Sequence, residues 1–367
     1  MSETVLVIGG TGPTGLPLVG GLVARGHEVT ILHRGTHERT ETPREVEHAH
    51  VDPYDDGALA GWAGGRSFDV VIAMYGRLRR IAETLRGRAG QFLSVGGVPA
   101  YRGWMNPYLE PQLPVPVPEA APLVREPADD EKGYRIARTE EAVFAAHPDA
   151  AHFRYPYVYG PYQLAPREWC IVRRVLDGRR RIVVPDDGLT LHHHGYTENL
   201  AHALLLAVDQ PDAACGSVFN VGDDEVLSIR QVVDVVADAL DHSFEVVDMP
   251  YELAVPARPL LMQPLPAHRV LDLTRIRRRL DYHDVVAPRD ALAVTARWLA
   301  RHPPEPGGIE EQVLTDPFDY TAEDQLIDGW QRSREAMRAV EFAVEPGFGL
   351  AYSGPGGRAR TSAEFRA

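Results

Sequence analysis

The sequence predicts an α/β protein, a doubly wound parallel sheet with a smaller C-terminal α/β substrate lobe. Three observations carry this. Short apolar, β-branched runs alternate with helical patterns through the first half. The first run leads into a glycine cluster that opens a helix. The alternation becomes irregular beyond about residue 160.

Residues 5–8 (VLVI) are apolar throughout, as a strand covered on both faces requires. Leu18/Leu22 and Val19/Val23 then recur at helical spacing, and Gly26 is placed to stop that helix. Residues 29–32 read as a second strand, and 68–73 and 91–95 as two more, with an amphipathic helix over 78–85 between them. Residues 99–127 carry eight prolines and read as a loop excursion rather than a linker, because regular patterns resume after them. Further on, Val232, Val233, Val236 and Leu240 form one apolar face of a helix over 228–240.

Composition narrows the function classes. The net charge of −14 opposes a phosphate backbone, so nucleic acid is an unlikely partner and a small molecule the expected one. No run of eighteen apolar residues predicts a membrane span, and no basic, then apolar leader is read at the start. Cys170 and Cys215 read as two buried small hydrophobes, which suits a reducing, cytoplasmic setting.

The chemistry begins at Gly9, Thr11, Gly12, Pro13, Thr14 and Gly15, between the first strand and the first helix. Glycines there let a pyrophosphate reach backbone N–H groups and the positive helix end, and Pro13 fits an early helical turn. The pattern predicts a Rossmann-type dinucleotide site. A carboxylate after the second strand would hold the ribose hydroxyls of NAD, but His33 and Arg34 stand there. A guanidinium suits a 2′-phosphate, so the expected cofactor is NADP, with NAD as the alternative if Arg34 instead stacks on adenine. Asp52 is placed to take the adenine amino group.

Residues 153–161 (FRYPYVYGP), 183–188 (VVPDDG), 196–203 (YTENLAHA), 219–222 (FNVG) and 271–280 (LDLTRIRRRL) complete the picture. With the glycine turn they resemble the extended short-chain dehydrogenase/reductases, the NAD-dependent epimerase/dehydratase group, over about residues 4 to 300. The turn at 33–35 also resembles the branch that includes the chloroplast stem-loop-binding proteins. The resemblance implies a tyrosine that exchanges a proton with substrate, a lysine four residues later and a serine on a strand end. Here Tyr134 and Arg138 take the first two places; Ser94 is the nearest hydroxyl, the aligned position falling on Val95. The resemblance also implies a homodimer and puts His193 and His194 at the border of the substrate cleft, where an imidazole would serve as a contact or an acid/base; Tyr75 and Tyr101, which follow strand ends, are placed either to line that pocket or to pack in the core or a loop. The tract 192–194 lacks ligand spacing, and no metal site is read. Arg173, Arg174 and residues 179–181 fit either a substrate phosphate or a solvated helix end.

The implied activity is that of an NADP-dependent oxidoreductase or epimerase/dehydratase acting on a hydroxyl or carbonyl carbon of a sugar nucleotide or small hydroxylated metabolite. A non-redox dinucleotide sensor or RNA-associated protein of the same fold is the other reading. The expected organisation is a dinucleotide-binding domain over 1–160, to which later elements return, a mainly substrate-binding lobe over 161–305 and a partly loose extension over 306–367.

Overall fold

The computed structural model describes residues 2–35, 38–74 and 76–344. Contacts divide the chain into one compact unit, Met1–Pro317, and a second, Phe318–Ala367. In the second, the helix Tyr320–Arg338 is capped by Asp319, whose carboxylate accepts from Ala322 N at 3.1 Å.

The strands of the first unit are β1 (Thr4–Ile8), β2 (Glu28–His33), β3 (Glu47–His50), β4 (Phe68–Ala73), β5 (Ala89–Gly97), β6 (Ala151–Tyr155), β7 (Tyr157–Tyr159), β8 (Arg181–Pro185), β9 (His194–Tyr196), β10 (Ser217–Asn220) and β11 (Glu245–Met249). Its helices include α1 (Gly15–Ala24), α2 (Asp56–Ala63), α3 (Leu78–Thr84), α4 (Glu131–Ala146), α5 (Trp169–Leu176) and α6 (Thr197–Asp209). Seven strands make one parallel sheet in the order β10-β6-β5-β4-β1-β2-β3. The winding direction reverses between β1 and β4, which opens a crevice at the carboxyl ends of those strands. Two further parallel pairs, β8–β11 and β7–β9, come from the chain after residue 155.

The pleat of β1 explains its unbroken apolar run. Val5 and Val7 join a core with Leu18 and Leu22 of α1 and Leu204 of α6. Leu6 and Ile8 join the opposite core with Leu59 of α2, Ile81 of α3 and Val143 of α4. Each face is roofed by helices, so neither has use for polar residues. On the first face α1 and α6 approach closely: a Cβ on Gly21 would lie 2.4 Å from Leu205 Cδ1.

The proline-rich excursion is threaded into the fold by single bridges, Tyr101 to Leu123 and Val117 to Leu271. Of the cysteines, Cys170 is buried as expected, whereas Cys215 is exposed where the chain turns into β10, a correction to the expected pair of buried thiols.

Candidate active site

The turn from β1 into α1 is built by its glycines. Gly9 has φ +95°, and a Cβ on Gly15 would fall 2.3 Å from the Gly10 carbonyl oxygen. The Gly12 amide donates to Gly9 O at 3.3 Å and the Gly15 amide to Gly12 O at 3.0 Å, closing the loop. The amides of Thr11 and Thr14 have no partner among the described residues, which leaves them for an anion at the start of α1. The open cleft above the turn has a volume of about 280 Å³ and is lined by Gly9, Thr11, Gly12 and Pro13, by His33 at the end of β2, by Arg34 and Arg39 beyond it, by Met74 beyond β4, and by Tyr162 and Leu164.

Sequence reasoning found the glycine turn, His33 and Arg34 and missed the other walls. Tyr162 adopts φ +67° directly after the 153–161 stretch, its ring lies under the Arg39 guanidinium at 4.1 Å, and its hydroxyl donates to Glu41. That stretch was itself a signal, but nothing in it announces that the next residue faces a loop more than 120 positions earlier.

Arg34 is exposed, its guanidinium 5.7 Å from the Tyr54 ring centre. His33 is buried; its Nδ1 accepts from Gly35 N at 3.1 Å and its Nε2 lies 2.9 Å from His48 Nδ1. Burial, then His48 and His50, lower its pKa, so the ring is neutral near pH 7. Asp52 follows β3 and is exposed, with its carboxylate accepting from Tyr54 N at 2.9 Å.

The catalytic expectation meets a correction on two elements. Ser94 is fully buried in β5 and bonds His152 Nδ1 at 2.8 Å, on the sheet face opposite Leu93 and Val95. On α4, the groove at the end of β5 is lined by Lys132, Arg135, Ile136 and Thr139, facing Val95, Gly96 and Gly97. At about 100° per residue, Tyr134 sits roughly 160–200° around the helix from Lys132 and Ile136. Tyr134 is half-buried and Arg138 is exposed in an ion pair with Glu141. The expected tyrosine and its cation share a face, but the groove uses another, where Lys132 and Ile136 stand one turn apart. The resemblance selects Tyr134 for its spacing to Arg138; the burial of Gly133, Ala137 and Glu140 fixes the rotation of the helix.

Of the residues offered for the substrate cleft, His193 and His194 are corrected, and Tyr101 takes the core-packing alternative. Tyr101 is fully buried, with its hydroxyl donating to Asn220 Oδ1 at 2.6 Å and its pKa pushed up to about 12 by burial. His193 is buried between Leu271 N, which donates to Nδ1 at 3.0 Å, and the Asp223 carbonyl, 2.7 Å from Nε2. His194 is fixed by Arg167, 2.8 Å from Nε2, and by the His192 carbonyl, 2.5 Å from Nδ1. Burial drives His193 down to about 4 and His194 well below its ordinary value. Both are neutral structural rings with each nitrogen engaged, unsuited to proton transfer near pH 7. Tyr75 lies outside the described residues. Arg173 pairs with Glu311 and Arg174 with Asp316, so these two are structural.

A buried polar chain holds α4 in this rotation. Arg154 of β6 bonds Glu140 of α4 through two contacts, 2.9 and 2.7 Å, and donates to Glu119 O at 3.0 Å. Its guanidinium covers the Tyr101 ring at 4.7 Å. His152 Nε2 lies 3.5 Å from Glu140 and has no hydrogen-bond partner among the described residues, under Gly96, whose missing side chain leaves room for the ring. Beyond the groove, Arg77, Arg79, Arg80 and Arg135 line a cationic mouth, within which Arg80 pairs with Glu83 and Arg135 with Glu131.

No family model matches the chain. Among curated proteins it is similar to a 3-diazoavenalumate denitrifying reductase of Streptomyces sp, 27% identical over 241 residues, 60% of this chain and 76% of that protein. It is also similar to the chloroplast stem-loop binding protein of 41 kDa b of Arabidopsis thaliana, 24% identical over 65% of this chain and spanning 63% of that protein. Among solved structures it superposes on UDP-glucose 4-epimerase of Thermotoga maritima (TM-score 0.64, 17% identity, 82% of this chain and 99% of that one). The enzyme WbmH of Bordetella bronchiseptica, solved in complex with NAD+, gives a TM-score of 0.63 at 15% identity over 82% of this chain and 98% of that one.

Proposed function

We propose that this chain, whose fold is that of the extended short-chain dehydrogenase/reductases, is an enzyme that binds a nicotinamide dinucleotide, NADP in preference to NAD, and acts on a carbonyl or hydroxyl carbon of a small molecule. The observation that carries this reading is the pairing of a glycine-built anion cradle with a cation, Arg34, at the exit of β2. The described carboxylate nearest in sequence after that exit, Glu38, is engaged by His50 at 2.7 Å. The residues fit the cofactor: the Thr11 and Thr14 amides suit its pyrophosphate, Arg34 a 2′-phosphate, and Met74 with Tyr162 supply wall surface. The bound nicotinamide would supply hydride transfer.

The groove at the end of β5 supports a role for Lys132 in meeting the substrate oxygen, in place of the Tyr134 and Arg138 pair. An ammonium there steadies developing negative charge and has a proton to give. Ile136, one turn on, makes the adjoining wall apolar. The cationic mouth suits a substrate bearing a carboxylate or phosphate, which includes sugar nucleotides.

Calorimetric titration with NADP and NAD tests the cofactor reading. NADP should bind more tightly. Equal or tighter NAD binding overturns the choice of cofactor, and no binding of either overturns the enzyme reading.

The arginine-lined mouth also favours a second reading, RNA association, as the name of the Arabidopsis relative describes for that protein. If Arg77, Arg79, Arg80 and Arg135 met phosphates of a single strand, log K would fall with log salt at a slope of roughly −3. RNA retention that is absent at low salt removes this reading.

A further inference from the structure

We propose that β2 and β3, with the loop between them, form a site for one divalent transition-metal ion such as Zn²⁺, with His33, His48, His50 and Glu38 as its ligands. One donor atom from each of the four lies within 4.8 Å of every other.

The ladder explains the convergence. His33 and His50 are register partners on adjacent parallel strands, so their side chains share a face. His48 precedes His50 by two residues and falls on that same face. Glu38 comes back over them from the loop that leaves β2. The closest approaches are 2.9 Å for His33 Nε2 to His48 Nδ1 and 2.7 Å for His50 Nε2 to Glu38 Oε1. Glu38 Oε1 lies 4.0 Å from both His33 Nε2 and His48 Nδ1. With metal–nitrogen and metal–oxygen bonds of about 2.0–2.1 Å, tetrahedral ligands stand about 3.3 Å apart. The observed separations bracket that value, so loading requires small adjustments rather than refolding.

The donor set fits a borderline ion. Three imidazoles and one carboxylate suit Zn²⁺, and weakly suit Ca²⁺ or Mg²⁺, which prefer oxygen ligands. Four protein donors close the coordination sphere, the pattern of a structural rather than a catalytic ion. Without metal, the four atoms form two hydrogen-bonded pairs. Binding replaces each hydrogen bond by two metal bonds. It also demands one rearrangement. His33 Nδ1 accepts from the Gly35 amide. A ring that ligates through Nε2 must carry its proton on Nδ1, so that amide has to turn away. Gly35, at φ +78°, is the residue type best able to do so. Loading would thus clamp Glu38 to the strand ends and reset the turn that follows Arg34.

The full chain, stripped with chelator and titrated with Co²⁺ in place of Zn²⁺, tests the site without any dinucleotide. One equivalent per chain should bind and give the intense visible absorption of a four-coordinate site, which Zn²⁺ then bleaches. Glu38→Gln and the paired substitution His48→Ala/His50→Ala, at half-buried to exposed positions, should weaken binding at least tenfold with unchanged circular dichroism. Absent or non-stoichiometric uptake by the parent chain overturns the proposal, and so does uptake that the folded variants retain in full. If a variant fails to fold, the parent chain still decides: a melting temperature that one equivalent of Zn²⁺ leaves unmoved rejects the site.

Discussion

Glu140→Gln is the substitution that should most directly unseat α4. Arg154 is 3% exposed and Glu140 6%, and the pair makes two short contacts. The glutamine keeps the shape but removes the anion, and one of its two head atoms is now a donor facing a donor. The guanidinium stays buried against Tyr101, keeping the Glu119 carbonyl and the glutamine oxygen as acceptors but losing its counter-charge. Removing one partner of a buried pair costs about 3–5 kcal/mol, a large share of the roughly 5–15 kcal/mol that holds a typical domain. Arg154→Met in the same background takes away the stranded charge and fills its space. The double variant should therefore be more stable than the sum of the single losses predicts, by about 1–3 kcal/mol. Urea unfolding followed by circular dichroism, with the slope m compared across all four proteins, measures the cycle. A Glu140→Gln loss under 1 kcal/mol, or strictly additive losses, would refute the view that this pair sets the rotation of α4.

Lys132→Met should cut turnover at least a hundredfold while leaving dinucleotide affinity within about threefold, whereas Tyr134→Phe should leave turnover near the parent; the reverse ranking in steady-state kinetics rejects the assignment of the groove face. Arg34→Met should weaken NADP about tenfold and NAD less than twofold, read by calorimetry; equal losses for both would show that Arg34 does not sense the 2′-phosphate. Stability should fall as pH drops from 6.5 towards 4. Burial holds His152 and His193 down to about 4, His192 to about 3 and His194 well below its ordinary value, so the unfolded chain binds more protons than the folded one there. Asp223 and Asp284, raised by burial to about 6 and 7, act in the opposite sense. Four imidazoles outweigh two carboxyls, which leaves a net slope on the order of 2–3 kcal/mol per pH unit near pH 5. A flat profile of unfolding free energy between pH 6.5 and 4.5 would contradict the buried neutral state of these rings.

The strands of the sheet and the glycine turn were legible because each depends on a short stretch. Residues 5–8 are apolar throughout since both faces of β1 are covered, and Gly15 is required by a contact five residues away. The groove end was less legible because it depends on rotation. A shift of two positions along α4 moves a side chain through about 200°, and which side chains of α4 line the groove depends on a rotation in which Glu140 meets Arg154 of β6. The histidines show the same contrast. Three in a row, at 192–194, invited a chemical reading yet are consumed by backbone partners. His33, His48 and His50 are scattered in sequence and converge only once β2 and β3 pair in register. The resemblance puts the hydroxyl position at Val95, and Ser94, one residue away, lies buried on the other face against His152.

Asn220 ends the last strand to join the sheet, and it is also a clasp. Its side chain receives the Tyr101 hydroxyl and donates to Val117 O at 2.9 Å and Asp272 O at 3.3 Å, while its amide donates to Glu119 at 3.1 Å. Three of these partners belong to the proline-rich excursion, which leaves the ribosome a hundred residues earlier. Until Asn220 emerges, that excursion has no anchor at this point and β6 presents a bare edge. A nascent chain halted ahead of Ser217 would already carry the whole anion cradle, yet it would expose a strand edge ready to pair with another molecule. For this topology, the pairing of β10 rather than completion of the anion cradle covers the β6 edge.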